Sequence, residues 1–126
     1  MARIIKMTVP VPPSINHCYF TARNGMRIKT NKAKDFDREV ISVTNKIKYK
    51  FPEKTKIVCD LKFYFKDNRR RDTHNTLKLL LDAVEVGGLY HDDMYILPRV
   101  LDFEIDKENP RVELTFYEWS GDVCTI

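Results

Sequence analysis

Apolar and polar positions alternate from Arg3 to Val9, with Ile5, Met7 and Val9 on one side and Ile4, Lys6 and Thr8 on the other. This period of two predicts a strand. Pro10, Pro12 and Pro13 end it, because proline donates nothing to a ladder and biases its predecessor to extended geometry. The loop SINHCYFTARNGMRIKT follows, and its Asn24-Gly25 pair is a hairpin-turn signal between short segments. The period then changes. Phe36, Val40, Val43 and Ile47 form one stripe at helical spacing, predicting a helix over Lys32–Lys50. Thr30 or Asn31 caps it, Pro52 stops its continuation, and Lys32, Lys34, Arg38, Lys46, Lys48 and Lys50 make a basic outer face.

Ile57–Lys66 is the clearest strand, with Ile57, Cys59, Leu61, Phe63 and Phe65 alternating against more polar neighbours. A second helix is predicted from Asp72 or Thr73 to Val86. Leu77, Leu80, Leu81 and Val84 line its apolar side, and His74, Asn75, Lys78, Asp82 and Glu85 the polar one. Gly87-Gly88 ends it. Tyr95–Ile105 and Arg111–Glu118 alternate again, joined by the turn-rich DKENP. The order β-α-β-α-β-β predicts an α+β fold in which two helices pack on a mixed sheet. Without repeats, low-complexity tracts or a linker, the 126 residues read as a single domain, 1–126.

Composition narrows the classes. Hydrophobic residues make up 43% of the chain and aromatics 11%, enough to exclude a disordered chain and to bury roughly two-thirds of the unfolded surface. No apolar run approaches the ~18 residues that span a bilayer, so no membrane association is expected. MARIIKMTVPVPP is too short and too broken for a secretion signal. Cys18, Cys59 and Cys124 are odd in number and outside any CxxC pattern, which points to a reducing cytoplasm. The net charge of +4 hides an asymmetry. Residues 1–50 hold 11 basic and 3 acidic side chains, residues 51–126 hold 11 and 15. A basic half suits a polyanion, and an acidic half suits the holding of cations.

The densest polar cluster, Arg69-Arg70-Arg71-Asp72-Thr73-His74-Asn75-Thr76-Leu77-Lys78, falls between a strand and a helix start. There a carboxylate, an imidazole and an ammonium are brought near three arginines, and Asp92-Asp93 follows the same helix after a glycine turn. Phosphodiester hydrolysis needs a divalent cation on hard oxygen ligands, a cationic side chain for the developing charge, and arginines for neighbouring phosphates. Plainer roles stand beside this one: Asp72 as an N-cap, Lys78 and Asp82 as a solvated pair, Asp92-Asp93 as turn residues, His74 as a surface histidine, and the arginines as a solvated loop.

The segment RRRDTHNTLKLLLDAVEVGGLYHDD resembles the RusA family of Holliday-junction resolvases. It is similar to that family's arginine-rich D-x-D-N-x-x-K run, helix and terminal D-D. The resemblance extends from VPVPPSINHCYF to the last strand. It implies a homodimeric, Mg²⁺-dependent endonuclease of bacteria and their phages that cuts four-way or otherwise branched DNA by paired nicks. Asp72 matches the first catalytic carboxylate, Asp93 the end of D-D, Lys78 the catalytic lysine and Asn75 the asparagine of the run. Asn16 and Tyr19 are positioning candidates in the opening PPSIN turn.

With these positions, Asp72 and Asp93 are expected to hold metal together with His74 and Asp92, and Arg69, Arg70, Arg71 and Asn75 with the basic helix face of Lys32, Lys34 and Arg38 are expected to hold DNA. One departure is His74, where the family has its second aspartate. A neutral imidazole brings no charge and shifts preference from Mg²⁺ towards Mn²⁺. Ligation, general-base action and a weakened site are its three readings, ligation being favoured. A non-catalytic nucleic-acid-binding module, or a metal nuclease for other branched DNA, are the alternative functions.

Overall fold

The computed structural model describes residues 3–14, 17–69, 71 and 73–121. Strand β1 (Ile4–Val9) is followed by a hairpin of β2 (Tyr19–Thr21) and β3 (Arg27–Lys29), helix α1 (Asn31–Asn45) and strand β4 (Ile57–Phe65). Helix α2 (Leu77–Val86), a 3-10 turn at Asp93–Tyr95, and strands β5 (Ile96–Ile105) and β6 (Arg111–Glu118) complete the order. Four strands form one mixed sheet, β1-β6-β4-β5, in which β6 runs antiparallel to both neighbours and β4 pairs parallel with β5. Because β4 and β5 are parallel, the chain must cross over between them, and α2 is that crossover. The fold is α+β, with the small β2–β3 sheet as an addition.

Alternation sets the core. Ile5, Met7 and Val9 of β1, Cys59, Leu61 and Phe63 of β4, and Val112, Leu114 and Phe116 of β6 all point to the helix side and are buried. Against them pack Phe36 and Val40 of α1 and Leu79, Leu80 and Val84 of α2. β5 departs from the pattern. Its register with β4 shifts between Leu61 and Lys62, and on this outer strand Leu101, Phe103 and Ile105 are more than half exposed.

The two helices meet closely. A side chain at Gly87 would stand 2.6 Å from Thr44 Cβ, whose hydroxyl is bonded to Val40 O at 2.7 Å. Gly87 itself is helical (φ −68°), and the left-handed turn belongs to Gly88 (φ +96°).

Both helices are shorter than their sequence patterns. α1 starts as expected, with Thr30 Oγ1 accepting from Ala33 N at 3.3 Å, but it ends at Asn45 and not Lys50. Lys48 then adopts φ +55°, turning the chain well before Pro52. Ile47 still packs on the core, so the apolar stripe outlasts the helix. α2 begins at Leu77 and not at Asp72 or Thr73. Short polar side chains offer the backbone other partners in Thr73-His74-Asn75-Thr76, and Leu77 N donates to His74 O at 3.2 Å in a turn. His74 therefore precedes the helix and is not one turn below Lys78 within it.

Candidate active site

Lys78, Asp82 and Glu85 occupy the outer stripe of α2 at i, i+4 and i+7, so its buried leucines aim all three away from the core. The segment after α2 is folded back along this stripe. Leu89 and Tyr90 are buried, Tyr90 Oη donates to Leu81 O at 2.6 Å, and Phe51 N donates to Leu89 O at 2.8 Å. Asp92 caps the 3-10 turn, its Oδ1 accepting from Met94 N at 2.9 Å. Asp93 N donates to Glu85 Oε1 at 2.6 Å. The doublet is thereby locked against the middle of the helix.

Four carboxyl groups and one ammonium result. Oxygens of Glu85, Asp92 and Asp93 lie within 4.8 Å of one another. Lys78 Nζ reaches Asp93 Oδ2 at 2.7 Å and Asp82 Oδ1 at 2.9 Å, while its own side chain is 75% exposed. Hydrogen bonds to Asp93 and then to Asp82 hold the Lys78 pKa above its ordinary value, so the group is a fixed positive charge at neutral pH. The two aspartates are driven apart. Burial raises Asp82, reinforced by its hydrogen bond with Asp93. Asp93 is lowered by that same bond and by Lys78.

An all-oxygen set with negative charge in excess of its one ammonium matches the donor chemistry of a hard divalent cation. The residues fit such an ion.

Of the expected site residues, Asp93, Asp92 and Lys78 meet here. Asp82, expected as an ion-pair partner of Lys78, and Glu85, expected on the polar side of the helix, join them. Their signal was the i, i+4, i+7 spacing from Lys78. His74 is exposed, with Nδ1 at 3.5 Å from Thr73 Oγ1, and is not among the three residues whose oxygens cluster. Asn75 is exposed in the same turn. Asp72, Arg70 and Asn16 lie outside the described residues.

The arginine loop is organised by Asp67, which sequence reasoning passed over. Arg71 donates to Asp67 O at 2.9 Å and to its Oδ1 at 2.8 Å while stacking over Phe65 at 4.8 Å. Arg69 is exposed, with Asp67 Oδ2 at 3.8 Å. Lys32, Lys34 and Arg38 are exposed on α1, Arg38 beside Asp35 at 3.2 Å. Half-buried Tyr19 carries the Arg27 guanidinium on its ring at 4.5 Å.

Fold and site together define a small α+β protein whose acidic cluster on α2 has the oxygen donors that fit a divalent cation. Residues 10–117 match the family model for endodeoxyribonuclease RusA, and the chain belongs to that family. It is 30% identical over 120 residues to the crossover junction endodeoxyribonuclease RusA of Shigella sonnei (strain Ss046), covering 92% of this chain and 96% of that protein. The protein of the same name from Escherichia coli (strain K12) is 29% identical over 124 residues, with the same coverage. A phage relative, from Enterobacteria phage HK97, is 28% identical over 88 residues, or 70% of this chain and 72% of its own. Among the described residues no helix is long and apolar enough to cross a membrane.

Proposed function

We propose that this chain is a divalent-metal-dependent endonuclease that resolves four-way DNA junctions by paired nicks, acting in a bacterial or phage-infected cytoplasm. The observation that carries the reading is the cluster of Asp93, Asp92 and Glu85, whose oxygens lie within 4.8 Å of one another, with Lys78 paired to Asp93, in a chain of the RusA family. Asp72, by its match to the family's first catalytic carboxylate, supplies a further ligand. Together these carboxylates would hold a divalent ion, which when bound would supply charge neutralisation at phosphorus and activation of a water.

Lys78 stays protonated through hydrogen bonds to Asp93 and Asp82, so its role is to stabilise negative charge on a phosphoryl or leaving oxygen and not to abstract a proton. Asp93 remains ionised and holds Lys78 in place. Arg69, Arg70, Lys32, Lys34 and Arg38 grip flanking phosphates, which makes binding fall steeply with salt. Arg71, bound to Asp67, fixes the loop that bears Asp72.

One polypeptide domain carries this chemistry, and the active species is a homodimer. A junction presents two symmetry-related strands, and a two-fold assembly sets one site on each. Leu101, Phe103 and Ile105 on the outer strand β5 are apolar surface that a second copy would cover. His74 acts as an additional ligand and shifts preference from Mg²⁺ towards Mn²⁺.

The test is Asp72→Asn on a synthetic four-way junction. Nicking should be lost while junction binding stays, because a metal charge is removed and the basic surface is not. Normal cleavage by Asp72→Asn overturns the assignment. Equal nicking rates in Mg²⁺ and Mn²⁺, with no effect of His74→Ala, remove His74 from the site.

A further inference from the structure

The β2–β3 hairpin has two chemically distinct faces. Its register pairs Tyr19 with Lys29, Phe20 with Ile28 and Thr21 with Arg27. Alternation therefore sets Tyr19, Thr21, Arg27 and Lys29 on one face, and Phe20, Met26 and Ile28 on the other. Tyr19 packs on the core, so the first face is the inner one. The second turns outward, with Phe20 51% and Met26 61% exposed.

The tip is rigid. Gly25 takes φ +82°, Gly25 N donates to Ala22 O at 2.9 Å, and Met26 N donates to Asn24 Oδ1 at 3.0 Å. Exposed Arg23 sits in this turn. The base is anchored beside the acidic cluster, where Lys29 Nζ pairs with Asp37 Oδ2 at 2.7 Å and feels the charge of Asp82. No acidic residue occurs before Asp35, so the whole ribbon and its surroundings in sequence are cationic.

We propose that this hairpin is a wedge, its Phe20–Met26 face entering the branch point to unstack bases while exposed Arg23 at the tip holds a flanking phosphate. The proposal rests on the junction reading above and names the element that recognises the branch. Apolar side chains on DNA-binding proteins insert between base steps in this way, and cations beside them offset the phosphate charge. A two-stranded ribbon is narrow enough to enter DNA grooves. The charge of the ribbon selects a polyanion over a neutral apolar partner.

The experiment uses the full chain and a four-way junction carrying 2-aminopurine next to the branch, with EDTA present so that no strand is cut. Wild-type protein should raise the fluorescence on the junction and not on linear duplex. Phe20→Ala/Met26→Ala should bind the junction within about threefold of wild type yet lose most of that rise, and with Mg²⁺ added should nick about tenfold more slowly.

Both side chains are exposed, so folding is retained, which circular dichroism verifies. An unchanged fluorescence rise in the double variant overturns the wedge. So does binding of wild-type protein to phosphatidylserine vesicles that the double variant loses while its junction signal persists. Failure of the wild type to nick in Mg²⁺ or Mn²⁺ sinks the nuclease reading instead, since the fluorescence arm needs no metal.

Discussion

Two charged networks on the molecule use the same functional groups to opposite ends. On the sheet surface away from the helices, Arg99 meets Asp60 through two hydrogen bonds, Nε–Oδ1 at 2.7 Å and Nη2–Oδ2 at 3.0 Å. Tyr117 Oη closes the triangle, 2.7 Å from Arg99 and 2.9 Å from Asp60. One cation answers one carboxylate, and the neutral phenol satisfies what is left. On α2, one ammonium faces Asp82, Asp93, Glu85 and Asp92. The first network is complete as it stands. The second holds surplus negative charge at close quarters, the composition that fits an added cation. Excess of like charge, and not the mere presence of charged groups, separates a site from a strut.

Asp93→Asn should reduce nicking of a four-way junction by on the order of 100-fold or more, and Lys78→Ala by a similar factor, whereas Asp60→Asn should leave the single-turnover rate nearly unchanged. If Asp60→Asn is as damaging as Asp93→Asn, the distinction between the networks collapses.

Stability should show the converse. Arg99→Ala leaves Asp60, 14% exposed, with Tyr117, and should lower the urea midpoint slightly while binding and nicking persist.

The smallest effect is in the pH dependence. Asp93 is below the ordinary 3.8 in the folded chain, so it adds stability above pH 3.8 that is lost as pH falls through its folded value. Asp82 is raised above 3.8, so the folded state holds its proton more tightly and stability declines as pH rises through that raised value. Without divalent ion at pH 7, Asp82→Asn should therefore raise the urea midpoint and Asp93→Asn lower it, with the two curves converging towards pH 3. Added Mg²⁺ should reverse the advantage of Asp82→Asn. An Asp82→Asn midpoint below wild type at pH 7 without ion would break the link between charge excess and site.

The chain's own pattern was sufficient for the strands β1, β4 and β6, because a half-buried strand writes its inward face directly as alternation. Thr30 as a cap and Asn24-Gly25 as a turn were also legible, since each is a local preference of its own residues. The end of α1 and the start of α2 were not. Ile47 continues the stripe of α1 because it still packs on the core after the helix has stopped, and periodicity records burial, not hydrogen bonding.

The RRRDTHN segment and Asp92-Asp93 carry the resemblance to the RusA family that the family model bears out. That Asp82 and Glu85 join Asp93 required the return of the chain after Gly88, fixed by the burial of Leu89 and Tyr90 and by the Tyr90–Leu81 hydrogen bond. Linear spacing states which side of an element faces water. Which polar groups meet across that water-facing side depends on the path of the loop, and buried contacts elsewhere in the fold decide that path.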